Sequence, residues 1–110
     1  IRKLINNIED CITKILRHYG IKSFADRKNI GIWTGNGSKE KKIAAIGIRV
    51  RKWVAYHGFC INVDNDLSKY KNIVPCGIKN KGVTSLKKMG VSGYNNIDKI
   101  IIKYFLNTFL

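Results

Sequence analysis

The feature that most constrains this chain is the run KIAAIGIRVRKWVAYHGFCINV, residues 42–63. Two stretches rich in β-branched and aromatic residues flank a short Arg-Lys connection, and each alternates along its length. In the first, Ile46, Ile48 and Val50 share one face while Arg49 and Arg51 take the other. In the second, Trp53, Ala55, His57, Phe59, Ile61 and Val63 form one row. The pattern predicts a β-hairpin with an apolar face that another element must cover. His57, set in that row, reads as a hydrogen-bonded structural histidine ahead of a catalytic base, and Cys60, on the opposite face beside Tyr56, reads as a packing residue.

The cover is found upstream and downstream. Leu4, Ile5, Ile8, Ile12, Ile15 and Leu16 recur at three-to-four spacing, and Gly20 follows as a stop, which predicts an amphipathic helix over residues 3–18. Cys11 lies on its apolar side and reads as a small core residue. The segment NNIDKIIIKYFLNTFL predicts a closing helix with Ile97, Ile100, Ile101, Tyr104 and Phe105 inward. Between these, GIWT at 31–34 reads as a short strand, GNGSKEKK as a connecting loop, DNDLSKYKN as a turn with capping aspartates, and TSLKKMG as a short helix capped by Thr84 or Ser85. No repeat or linker divides the chain. The expected fold class is α/β in the α+β sense: one domain over residues 1–110, with a mixed sheet and flanking helices.

Charge bounds the partners. The 21 Lys and Arg against 7 Asp and Glu give +14, which calls for an anionic partner or tolerance of self-repulsion. The basic residues are scattered, as in Lys41–Lys42, Arg51–Lys52 and Lys87–Lys88, so an acidic protein fits as well as nucleic acid. No apolar run reaches the ~20 residues of a membrane helix, and no signal-peptide core is present, so the expected location is cytoplasmic. The cysteines at 11, 60 and 76 have neither disulfide-framework nor zinc spacing. The glycines of GNGSK lack phosphate-loop spacing, and DNDLSK has Lys69 where a calcium loop needs glycine. No metal or other cofactor is implied.

The stretch NIVPCGIKNKGVTSL, residues 72–86, displays a thiol: Pro75 and Gly77 fix an exposed bend around Cys76. A nucleophilic cysteine needs a base, since the thiolate attacks. The candidates are His57 and a lysine, and Lys42 opens a strand whose small residues allow close approach.

With these residues in view, the chain resembles the second half of the lipoyl(octanoyl) transferases. The resemblance rests on KIAAIGIRVR (42–51), HGF with NVD and DL (57–67), and IVPCGI with GVTSL (73–86), in the family's order; YGIKSFADRKNIGIW (19–33) is similar too. It implies the fold of biotin and lipoate protein ligases and an acyltransferase of lipoate biosynthesis. In that reading octanoyl passes from acyl carrier protein to Cys76 as a thioester and on to a lysine of a lipoyl domain. Lys42 would be the acid and base, and amides near Gly77 and Ile78 would face the oxyanion. The resemblance further implies substrate contacts at Ala44, Ala45, Ile46, Gly47, His57, Gly58, Gly77 and Ile78. The implied partners are octanoyl-acyl carrier protein and the lipoyl domains of 2-oxoacid dehydrogenases and the glycine cleavage H protein, with no membrane. The family's upstream glycine-rich RGG and HGPGQ motifs have no counterpart here, so the expectation is a C-terminal part of the catalytic domain, lacking its N-terminal half and with little activity alone. The alternatives are a small basic nucleic-acid-binding module, using Arg49, Arg51, Lys52 and Trp53, and an inert remnant.

Overall fold

The computed structural model describes residues 2–26, 30–35, 39–52, 54–68 and 82–110, with the side chains of 48–50 and 54–57 left outside the description. Helix α1 (Arg2–His18) carries the apolar spacing read from the sequence, and Ile8, Cys11, Ile12, Ile15 and Leu16 are its buried residues. Gly20 ends it as expected. With φ 80° it donates to the Arg17 carbonyl at 2.9 Å, while the Ile21 amide reaches back to the Leu16 carbonyl at 2.9 Å. This paired closure satisfies two carbonyls that the last turn would otherwise leave without partners, and only glycine adopts the required left-handed backbone without strain.

Among the described residues five strands follow: β1 (Phe24–Ala25), β2 (Ile32–Thr34), β3 (Lys41–Arg51), β4 (Val54–Ile61) and β5 (Gly82–Val83). They form a mixed sheet in the order β1-β2-β3-β4, with β5 parallel to the start of β3. The hairpin read from the alternating run is β3 with β4, paired without interruption from Ala44↔Ile61 to Arg51↔Val54. Lys52 enters its turn at φ 51°, as a two-residue hairpin connection requires. Strand β1, only two residues long, carries no alternation from which it could be read.

Helix α2 (Ile97–Phe109) closes the chain. All five residues expected to face inward, Ile97, Ile100, Ile101, Tyr104 and Phe105, are partly buried, and no residue of the helix is fully buried. Ile102 and Leu106 stay 56% and 46% exposed on its outer side. The helices cover one face of the sheet. Ile8, Ile12 and Leu16 of α1 meet Ile32, Ile43 and Ala44 of the strands, and Ile46, Phe59, Ile61 and Phe109 pack around them. Phe59 and Phe105 bridge sheet to helix with ring centroids 6.4 Å apart. Among the described residues no helix is long and apolar enough to cross a membrane.

The expected helix over TSLKKMG is instead one turn. Ser85 caps it as read: its carbonyl accepts from Met89 N at 2.9 Å and its hydroxyl from Lys88 N at 3.2 Å. Gly90, at φ 85°, closes it immediately, with Val91 N bonded to the Leu86 carbonyl at 3.0 Å. The aspartate turn is present in part, with Asp66 Oδ1 accepting from Ser68 N at 2.9 Å.

The two described cysteines separate sharply. Cys11 is fully buried and burial pushes its thiol pKa up, against smaller opposing effects of Thr108 and Lys14. Cys60, read as packing, is exposed: it lies opposite Ala45 on the face that neither α1 nor α2 covers. A raised pKa leaves less thiolate at neutral pH. A disulfide reagent applied to the native chain at pH 7 should therefore label Cys60 and spare Cys11, as peptide mapping would show. In the core, Ile12→Ala should lower the unfolding free energy by about 2–5 kcal/mol in a urea titration, whereas Ile102→Ala should cost well under that.

Candidate active site

The site is built by a break in strand alternation. Ile32 pairs with Ala44, but its neighbour Trp33 pairs with Lys42, so Ile43 is an extra residue in β3 with no partner in β2. Such a bulge turns both Ile43 and Ala44 toward the same side. Both belong to the helix-covered core, 0% and 2% exposed. Directly paired residues share a face, and successive residues of β2 alternate, so Lys42 joins Trp33 on the opposite face. Past the bulge that same face carries Ala45, Gly47 and, across the hairpin, Gly58 and Cys60.

This sorts the residues implied by the resemblance. Ala44 lies in the core and Ile46 packs against it, so neither is placed on the face of Lys42. The bulge and the alternation beyond it turn their side chains toward the helices. Ala45, Gly47 and Gly58 stand on the open face. Gly47 and Gly58 are directly paired, and among the described residues a Cβ on either would meet nothing within 4 Å. Two facing glycines leave a strip of bare backbone that a flexible chain can approach closely. His57 pairs with Ile48 in the ladder, and its side chain is outside the description. Cys76, Gly77 and Ile78 lie outside the described residues, as does Trp53. Arg51 and Lys52 are exposed at the far end of the hairpin, away from the bulge.

Lys42 is no strand-end surface lysine; it is 7% exposed. Its side chain passes over Gly31, where a Cβ would overlap Lys42 Cε and sit 2.9 Å from the Ala44 carbonyl and 3.2 Å from Lys42 Nζ. Gly31 has φ 124°, a backbone state that side-chain-bearing residues resist. The glycine is therefore the seat of the lysine. Hydrophobic alternation does not single it out, although an isolated glycine at the entry of a strand is a recognised mark of close approach.

Hydrogen bonds fix the bulge from the other side. Thr84 N donates to the Lys42 carbonyl and Asn62 N to the Ile43 carbonyl, both at 2.9 Å. Asn62 Nδ2 donates to the Thr84 carbonyl at 3.1 Å, and Asn62 Oδ1 accepts from Asn65 Nδ2 at 3.2 Å. Asn62 thus ties the bulged start of β3 to the exit of β5, a second positioning residue that the alternation pattern does not mark. Among the described residues no group of His, Cys, Asp and Glu could hold a metal ion.

The seat yields a direct expectation. Gly31→Ala should both destabilise the fold by about 1–3 kcal/mol, from backbone strain, and displace the lysine stem. In spectra of 13C-lysine-labelled protein the Lys42 Cε resonance should move while that of Lys14, on the outer side of α1, stays in place.

Comparison with known proteins places the sequence in a family. The sequence model of the lipoyl protein ligase A/B catalytic domain matches residues 1–106. An octanoyltransferase of Ehrlichia chaffeensis is 46% identical over 110 residues, covering 99% of this chain and 51% of the relative. Octanoyltransferases of Neorickettsia sennetsu and of a Wolbachia from Brugia malayi are 45% and 43% identical, again over 99% of this chain and 54% of their own lengths. The chain spans about half the length of the curated relatives it matches. The α/β architecture is the one expected, the family match covers nearly every residue, and the chain belongs to the lipoyl protein ligase A/B catalytic domain family.

Proposed function

We propose that this chain supplies the thiol and the lysine of an octanoyltransferase acting in lipoate biosynthesis. The observation that carries the reading is the burial of Lys42 on the strand that carries the Gly47–Gly58 pair further along, in a chain whose relatives are named octanoyltransferases. The Lys42 amine takes the proton of the Cys76 thiol, and the thiolate attacks the carbonyl carbon of octanoyl thioester on acyl carrier protein. The C–S bond to the carrier breaks, the carrier's sulfur receives the proton from Lys42, and octanoyl remains as a thioester on Cys76. In the second half a lysine amine of a lipoyl domain attacks that thioester; an amide forms, the amine's proton leaves, and the Cys76 thiol is restored. Ala45, Gly47 and Gly58 give the acyl chain a surface without protruding side chains. Backbone amides near Gly77 and Ile78 serve the developing oxyanion.

The basic surface suits this pair of protein substrates. A charge of +14 steers acidic partners into encounter, and the scatter of the lysines fits two different partners docking in turn.

The test is transfer of octanoyl from its carrier to a lipoyl domain by the protein containing this chain, with and without the upstream half of the catalytic domain. Lys42→Met should reduce turnover roughly 10²-fold or more with unchanged circular dichroism. Cys76→Ser should remove the hydroxylamine-sensitive adduct altogether. His57→Ala should lower the melting temperature more than it lowers turnover. Near-normal transfer by Lys42→Met, or loss of turnover at unchanged melting in His57→Ala, would take the proton-transfer role away from the lysine.

A further inference from the structure

We infer that the basic cavity at the start of β3 is a binding subsite for a phosphate group. Its role in holding a phosphate-bearing acyl donor rests on the transfer reading above; its existence as an anion site does not. The cavity has a volume of about 500 Å³ and is lined by Lys39, Lys41 and Lys88, with Thr34 and Thr84 among its walls. A smaller cavity of about 300 Å³ shares Gly35 with it and adds Lys22, Ser23 and Phe24. No acidic side chain is among the lining residues described for either.

The polar lining asks for a ligand. Thr34 and Thr84 are 2% and 3% exposed, so their hydroxyls belong to the cavity walls and not to open solvent. Thr34 Oγ1 stands 3.5 Å from the Lys41 carbonyl and 4.0 Å from Met89 Sδ, both long for a hydroxyl donor, so it gains by turning to a better acceptor. The Ser23 hydroxyl is buried with no hydrogen-bond partner among the described residues. A buried hydroxyl without a good partner is costly, and an oxyanion in the larger cavity gives Thr34 an acceptor, as one in the adjoining cavity does for Ser23. Lysines bind phosphate as point charges, and clustering around a recess raises their effect above that of a screened, diffuse surface charge. Asp66, held in its charged form first by the Ser68 amide and in lesser part by Lys88, lines neither cavity.

Placement gives the subsite a role. Lys41 directly precedes Lys42, and the Thr84 amide is bonded to the Lys42 carbonyl. Lys41 and Lys42 fall on opposite faces of β3, so a phosphate held here sits at the strand's end while the rest of the ligand passes round it to the open face. A thioester on a long arm that carries a phosphate ester has that form.

The test is amide 15N NMR of the chain at constant ionic strength, titrated separately with inorganic phosphate, 4′-phosphopantetheine and pantetheine. Phosphate and phosphopantetheine should shift the Thr34, Gly35 and Thr84 amides saturably, and pantetheine should not. Replacing both Lys39→Gln and Lys88→Gln should weaken binding about tenfold, and Lys14→Gln should leave it unchanged. Shifts of equal size with pantetheine would overturn the subsite by showing that phosphate is not what is recognised, and equal weakening by Lys14→Gln would overturn it in favour of diffuse attraction. Binding of phosphate without phosphopantetheine would overturn the donor-arm role. Because the readout is binding, phosphopantetheine binding by this chain together with near-normal transfer by Cys76→Ser in the protein that contains it would sink the acyl-transfer reading and leave the subsite standing.

Discussion

A single unpaired residue, Ile43, decides how the two faces of this sheet are used. By inserting one position between the Ile32–Ala44 and Trp33–Lys42 pairs, it sends two successive apolar side chains into the helix-covered core and delivers Lys42 to the other side. Without it, simple alternation would put Lys42 in the same row as Ala44 and Ile46, beneath the helices, where burying a charged amine among apolar side chains is costly. The bulge is held by hydrogen bonds from Thr84 and Asn62 to the carbonyls of Lys42 and Ile43, so the fold positions the lysine through main-chain bonds on one side and a glycine seat on the other.

The two faces of the hairpin then divide the work between stability and chemistry. On the helical side, Ile46, Phe59 and Ile61 complete a core anchored by α1, and burial of such side chains supplies most of the fold's stabilisation at roughly 25 cal/mol for each Å² of apolar surface. On the open side the same strands present Ala45, Gly47, Gly58 and Cys60, small residues that contribute little to packing. Glycines within strands weaken them, and a directly facing pair does so twice. Their cost is intelligible where something must lie against the backbone, and the ladder around them is continuous enough to absorb it.

The hairpin, both long helices and the Gly20 stop are legible in the amino-acid sequence, because tertiary packing uses the same faces that the periodicities mark. What stays hidden has physical causes. A bulge leaves no trace in hydrophobic alternation when the inserted residue is itself apolar, so Ala44 and Ile46 read together with Ala45 and Gly47 although they face the core. The role of Gly31 lies in what passes over it, a contact with a residue 11 positions away that no local pattern reveals. Cys60 reads as packing because alternation tells which face a residue occupies but not whether that face is covered. The helix expected over TSLKKMG stops after one turn because Gly90 closes it. Cys76 lies outside the described residues, and its proposed role rests on local turn chemistry and family resemblance; that of Lys42 rests on the same resemblance joined to its place before a run of small residues.

Lys42 lies across Gly31 on the face away from the helices, and every assignment at the site depends on that placement. A 13C-edited nuclear Overhauser experiment on lysine- and glycine-labelled chain measures it directly. Cross-peaks between the Lys42 ε-methylene protons and the Gly31 α-protons, with none from that methylene to the methyls of Ile8 or Ile12 in α1, are the predicted result. Contacts from the Lys42 methylene to those α1 methyls, with none to Gly31, would put the lysine on the helical face and contradict this placement.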